Sequence, residues 1–316
     1  MISKNIINKI VWLTPYGQDK LWDPALRLRR VNVHNQFLKM GINSNFIFNC
    51  LGYSDEYLLK EFEDSSIVVF TEQSEREFNL IKEARKRKIL TMRDHCEYMF
   101  GLPYQDECFR ETDLIVCSST IIAKESIKRG YRICVIPDMW EPTPLCTIRD
   151  TSDNLRAIYM GSQGPLRILL NNYGNAIKEA GYELDIITDI DGIGKRWSLN
   201  TWVQDYIHAD ISLCPQDIRL FPGKSNVKVA QSLGTGYPTI ASPLQSYKEV
   251  FDGGICGIIA YSPEQWKEAL IYLKDPIIRL KMHSAAILQS NRYSPENISK
   301  MWYAQMLSLI NKKAIN

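Results

Sequence analysis

Residues 209–250 read ADISLCPQDIRLFPGKSNVKVAQSLGTGYPTIASPLQSYKEV. An apolar strand (Ile211 to Cys214) gives way to a Pro/Gly-marked loop and a short helix. A glycine stop, a second strand (Tyr237 to Ala241) and another helix follow. The short helix opens oddly. Lys224 stands at its start, and Lys228 comes four residues later on the same face as Gln231. Cations at a helix N-terminus oppose the macrodipole, and a like-charge pair at this spacing costs roughly 0.2–0.5 kcal/mol. A bound anion reverses both penalties, because unpaired backbone N–H groups there already favour a phosphate. The segment therefore predicts an anion site. The plainer alternative is a helix with a solvated polar face.

The same alternation of short β-branched runs with helical-period segments extends in both directions, which predicts an α/β protein with parallel sheets. Upstream, strands are expected at Lys9 to Thr14, Ser44 to Phe48, Ile67 to Phe70, Ile89 to Arg93, Leu114 to Ser118 and Arg132 to Ile136. Helices fill Pro24 to Met40, Glu75 to Lys86 and Ser119 to Arg129, with Ser74 as an N-cap and Gly41 and Gly130 as stops. PDMWEPTPLCTIRDTSDN (137–154) holds three prolines without periodicity and reads as an interdomain linker. A second series follows: Arg156 to Met160, Glu183 to Thr188, Ile211 to Cys214, Tyr237 to Ala241 and Gly257 to Ala260. The expected architecture is two doubly wound, Rossmann-like domains facing across a cleft, residues 1–145 and 146–292. A tail helix, 293–316, is opened by Ser294 and Pro295. Its apolar positions Ile298, Met301, Trp302, Met306 and Leu309 are expected to pack back toward the N-terminal domain.

A length of 316 residues suits about two domains. The 45% apolar and 23% charged content is that of an ordinary globular protein, and a net charge of +2 gives no reason to expect nucleic acid. The basic run Lys82, Arg85, Lys86, Arg87, Lys88 reads as a solvated helix end, with peripheral contact to anionic membrane lipid as the alternative. Eight cysteines without a CxxC pair fit a reducing cytosol. No cleavable leader and no apolar run of about 20 residues is evident, so a cytoplasmic location is expected.

In open α/β sheets ligands bind beyond the carboxyl ends of the strands, so residues just after each strand are the first candidates. Met160-Gly161-Ser162-Gln163-Gly164 follows a strand and opens a helix, where glycine lets backbone approach phosphate. A plain tight turn is the other reading. Asp94 and His95 follow Ile89 to Met92 and are candidates to orient or deprotonate an acceptor hydroxyl. Tyr16, Arg27 and Arg29 are acceptor-side candidates, against the simpler reading of the arginines as cover for a helix face. Asp189-Ile190-Asp191 spells a DxD, yet Gly192 and Gly194 mark it as an acidic turn, so no metal is expected.

FPGKSNVKVAQSLGTGYPTIASPLQSYKEV (221–250) resembles the donor-binding block of GT-B-fold glycosyltransferases of the retaining family-4 type. The matching positions are Lys224, Ser225, Lys228, Leu233, Gly236, Pro238, Ala241, Ser242 and Glu249, and the likeness runs more weakly over most of the chain. The resemblance implies transfer of a sugar from a nucleotide-diphosphate sugar to a glycan or lipid-linked hydroxyl acceptor, with no further cofactor. It implies that Lys224, Ser225, Asn226 and Lys228 meet the diphosphate and that Gln231 meets the ribose. Glu249 then lies near the nucleotide or sugar, and Gly161, Ser162 and Arg167 border the donor. The chain departs from the family pattern where Gln231 and Gly223 stand in place of two glutamates. The rivals are a sugar-nucleotide epimerase of the same fold and a non-catalytic nucleotide-sugar-binding or scaffold protein.

Overall fold

A computed structural model describes residues 7–251, 253 and 255–315. The chain forms two compact units. One runs to Asp138 and takes in the chain from Pro295 onward, and the other spans Met139–Ser294.

The first unit is built on strands β1 (Ile10–Leu13), β2 (Ser44–Ile47), β3 (Ile67–Phe70), β4 (Leu90–His95), β5 (Leu114–Cys117) and β6 (Ile133–Val135). They form one parallel sheet in the order β2-β1-β3-β4-β5-β6. β1 and β3 are continuous apolar runs with every residue buried, the pattern of strands covered on both faces by helices. Ser74 caps Glu75–Lys86 by accepting from the Glu77 N–H at 3.2 Å. Gly41 and Gly130 follow their helices with φ of 74° and 79°. The expected helix from Pro24 is real but uneven: Pro24–Leu26 is α, Arg27–Val31 is a π-helical segment, and Asn32–Lys39 is α. Asp55–Glu61 and Gln105–Glu111 are helices that periodicity did not mark.

The tail helix Pro295–Ile315 belongs to this first unit. Trp302 meets Trp12 of β1 with ring centroids 5.3 Å apart, and Tyr303 meets Phe37 at 6.1 Å. Ile298, Trp302 and Met306 are buried as expected, whereas Met301 is exposed.

The second unit holds β7 (Leu155–Met160), β8 (Tyr182–Thr188), β9 (Lys195–Arg196), β10 (Ile211–Cys214), β11 (Thr239–Ala241) and β12 (Ile258–Ile259). Their order, β12-β11-β10-β7-β8-β9, reverses direction between β7 and β10. Both units are Rossmann-like, with parallel sheets between helices.

Two local expectations are corrected. The short helix spans Val227–Thr235, so Lys224 lies in the loop ahead of it and does not share a helical face with Lys228. Glycine and proline explain the delay: the chain turns through Pro222 and Gly223 before it can wind. The helix also has no solvated polar face, since every residue from Val229 to Thr235 is buried. β11 begins at Thr239, because Tyr237 is spent closing the helix. Gly236 adopts φ 80°, and the Tyr237 N–H reaches the Ser232 carbonyl at 2.9 Å.

Candidate functional site

In the second unit the reversal of strand order sets β7 beside β10, and because the two run parallel the loops after both leave from the same, carboxyl end of the sheet. After β7 comes Gly161, anchored by its N–H to the Ile187 carbonyl at 3.0 Å. A β-carbon there would stand 2.4 Å from Lys228 Nζ and 2.7 Å from the Tyr159 hydroxyl. Only glycine leaves that space. Tyr159 donates to the Ser162 carbonyl at 2.7 Å, and Lys228 Nζ lies 3.4 Å from the Tyr159 oxygen and 4.8 Å above its ring.

Lys228 is half-buried and lies against Tyr159 and Gly161. No carboxylate among the described residues is paired with it. Burial, followed by the nearby charge of Lys224, pushes its ammonium down to about 8. A partly desolvated cation without a counterion is costly, and a diphosphate oxygen would relieve that cost.

The other donor-side candidates belong to the loops and helices that follow β7, β10 and β11. Ser162 is exposed and opens the helix Gln163–Ile168, while Arg167 is exposed one turn on. Ser225 and Asn226 are buried immediately ahead of Val227–Thr235. The Lys224 carbonyl is held by Ser246 Oγ at 2.7 Å. Glu249 is half-buried in the helix Gln245–Phe251 and accepts from Gln245 Nε2 at 3.0 Å. Gln231 is placed unexpectedly. Its Oε1 accepts from the Glu141 N–H at 2.8 Å and its Nε2 donates to the Glu141 carbonyl at 3.2 Å. Its amide holds the irregular segment that precedes β7. Trp140 of the same segment lies against Gly234, where a β-carbon would meet the indole ring at 2.7 Å.

In the first unit Asp94 and His95 end β4. Asp94 Oδ1 accepts from Arg29 Nε at 2.8 Å and Oδ2 from Arg30 Nε at 2.9 Å, with all three side chains buried. Arg29 also reaches Asp138 at 2.6 Å and the Ile136 carbonyl at 2.9 Å. Burial opposes the charge on Arg29, but Asp94 and Asp138 outweigh it and the guanidinium is held more firmly protonated than usual. His95 is buried between Phe100 and Phe109, with Nε2 unpartnered, and burial pushes it down to about 4. Arg27 donates to the Leu21 carbonyl at 2.5 Å. Tyr16 is exposed, and its carbonyl takes the Asn49 N–H at 2.9 Å. Asp94, Arg29 and Arg30 thus form one buried cluster that Tyr16 does not join.

Asp191 of the DxD pairs with Arg196 at 2.6 Å. Among the described residues no group of three or more His, Cys, Asp or Glu side chains could hold a metal ion. Sequence reasoning missed Tyr159, whose hydroxyl links Lys228 to the loop after β7. Its only signal was an aromatic residue next to the end of an apolar strand.

No family model matches the sequence, and no curated protein does. Several solved structures share its fold. A glycosyltransferase from Rickettsia africae ESF-5 superposes with a TM-score of 0.73 at 10% identity, covering 97% of this chain and 99% of that one. Anabaena HepE, in complex with UDP and glucose, gives 0.63 at 11% identity over 96% and 99%. A variant of S. aureus TarM, in complex with Fondaparinux, alpha-GlcNAc-glycerol and UDP, gives 0.60 at 10% identity over 81% and 58%. This chain therefore has the GT-B fold.

Proposed function

We propose that this protein is a glycosyltransferase that moves a sugar from a nucleotide-diphosphate sugar to a hydroxyl acceptor. The observation that carries the reading is the half-buried ammonium of Lys228, with no carboxylate partner among the described residues, beside Gly161 at the strand reversal of the second unit. Lys228 and Lys224 take the charge that develops on the departing diphosphate, and such preorganised charge is where a metal-independent site gains rate. Gly161 and Ser162 give the phosphates room and backbone, Ser225 and Asn226 line the approach, and Arg167 and Glu249 flank the nucleotide and sugar. Gln231 is assigned to holding Glu141, because meeting a ribose would require both its bonds to open. The finer reading is a retaining, family-4-like hexosyltransferase in glycan or surface-polysaccharide assembly, cytoplasmic or peripheral at the inner face of a membrane. The acceptor side falls to the first unit, with Tyr16 in the loop after β1 and Arg27 at the start of the π-helical segment. Asp94, His95 and Arg29 there shape the floor rather than carry the proton.

That HepE and TarM were solved with UDP supports the nucleotide class. Titration calorimetry with UDP tests it. Lys228→Ala should weaken binding by about 10- to 100-fold, the scale of charge-assisted hydrogen bonds, and Lys224→Ala by less. Unchanged affinity in Lys228→Ala sinks the assignment. A nucleotide-sugar-binding protein without transfer is the second reading, favoured by the engaged Gln231. Donor turnover against an acceptor panel separates the two.

A further inference from the structure

The parallel strands of the first sheet all begin at one end, and the helices that lead into them finish there. The Ser66 N–H bonds the Lys9 carbonyl at 2.9 Å and the Leu90 N–H bonds the Ser66 carbonyl at 3.1 Å, which sets the starts of β1, β3 and β4 side by side. Two helices bring cations to this amino end from opposite faces of the sheet. Glu75–Lys86 packs Ile81 and Ala84 into the core that holds Val11 and Leu13, whereas Pro295–Ile315 meets Trp12, which points the other way. Lys313 Nζ, near the end of the second helix, donates to the carbonyl of Lys88, just past the first, at 2.6 Å.

Arg85 and Lys86 are answered there by Glu111 and Glu83, at 2.6 and 2.5 Å. Arg87, Lys88, Lys312 and Lys313 are exposed, and among the described residues none of them pairs with a carboxylate; Arg87 donates to the Leu59 carbonyl instead. Glu63 and Asp64, exposed after the helix Asp55–Glu61, offset part of this charge and leave it positive. A helix dipole accounts for the lysines of its own last turn, and not for two such ends brought together. Gathered like charges repel and weaken the compact state. An anionic surface removes that penalty.

Leu38 and Met40 narrow the kind of surface. They are 50% and 41% exposed at the end of Asn32–Lys39, beside the start of β1, where the Ile10 N–H bonds the Asn43 carbonyl at 3.0 Å. Cations next to projecting apolar chains suit a bilayer, whose headgroup phosphates meet the first and whose acyl boundary takes the second. A nucleic-acid backbone would leave the apolar pair in water.

We propose that the amino end of the first sheet docks on an anionic phospholipid membrane. Arg87, Lys88, Lys312 and Lys313 lie on the headgroups, and Leu38 and Met40 dip below them. The loops at the carboxyl end of the same sheet then point away from the bilayer. This surface carries the membrane contact named with the transferase reading, and it stands whether or not the chain transfers a sugar.

The test is co-sedimentation of the full chain with vesicles of phosphatidylcholine alone and of phosphatidylcholine mixed with phosphatidylserine. It is repeated on K88Q/K312Q/K313Q, on L38S/M40S and, as a control, on K178Q, whose lysine is exposed in the second unit. The unaltered chain should bind the phosphatidylserine vesicles, release them as salt rises and leave the neutral vesicles unbound. At about fivefold per cation near an anionic surface, the triple variant should bind roughly a hundredfold more weakly. L38S/M40S should bind severalfold more weakly, and K178Q as the parent does. Every substituted side chain is exposed, so the variants should keep the parent's melting temperature and UDP affinity. Equal binding to both kinds of vesicle, or equal binding by the parent and either multiple variant, overturns the proposal. Tighter binding of a random-sequence DNA duplex than of the vesicles overturns it too. Absent UDP binding counts against the transferase reading alone.

Discussion

Lys228 donates toward the Tyr159 hydroxyl at 3.4 Å, and that hydroxyl donates in turn to the Ser162 carbonyl at 2.7 Å. The ammonium is thus tied to the loop after β7 by a relay of neutral groups, with its charge left over. Because burial holds it at about 8, below the 10.5 of an exposed lysine, the unfolded chain binds the extra proton between those values. Stability should therefore rise as pH climbs from about 8 toward 10.5, with the penalty constant below 8. Lys228→Met should raise the urea midpoint at pH 7 and flatten that rise. A pH profile of urea midpoints for both proteins checks it.

Gly161→Ala places a methyl group 2.4 Å from Lys228 Nζ. The lysine end can move aside, but the methyl group also meets the Tyr159 hydroxyl at 2.7 Å and strains a backbone at φ 157°, so the variant should fold with a lower melting temperature. The displaced ammonium should weaken UDP by about tenfold, roughly 1.4 kcal/mol. Calorimetry paired with a thermal melt measures both halves of this expectation.

Gln231→Glu restores the side chain usual in the resembled family but leaves the Glu141 carbonyl without its 3.2 Å donor and sets a carboxylate against it. The cost should be about 1–3 kcal/mol, seen as a lower melting temperature without any gain in UDP affinity. A variant as stable as the parent would remove Gln231 from its role in holding the linker.

His95 is neutral in the fold down to about 4, whereas the unfolded imidazole takes a proton near 6.5. Its contribution is therefore complete above 6.5 and is lost as pH falls toward 4. His95→Phe, which keeps a ring between Phe100 and Phe109, should flatten the stability profile across that interval. Chemical denaturation from pH 4 to 7 reads the slope directly.

How much of this was legible depended on how local each signal is. β1 and β3 lie within the apolar runs that marked them, because parallel strands covered on both faces are written as uninterrupted hydrophobic residues. β9 is two exposed charged residues, Lys195 and Arg196, and carries no such mark. The helices Asp55–Glu61 and Gln105–Glu111 are only seven residues each, barely two turns of pattern. Lys228 stood out as a cation near a helix start, but its surroundings did not. The same holds for Gln231, whose partner Glu141 is 90 positions away in sequence. Asp94 looked like a residue waiting for a proton, since nothing in the local string announces two arginines 64 and 65 residues upstream.

Trp302, seated on Trp12, ties the start of the chain to its end. The core around β1 lacks a wall until the last helix has been synthesised, whereas Met139–Ser294 has all its residues before that. Within the latter unit the Trp140 N–H bonds the Tyr293 carbonyl at 3.1 Å, so its two ends leave together. During translation the Met139–Ser294 unit can complete its core first, while the core around β1 stays open until the helix Pro295–Ile315 has been made. A premature stop before residue 295 would thus spare the later-encoded unit and ruin the one already made.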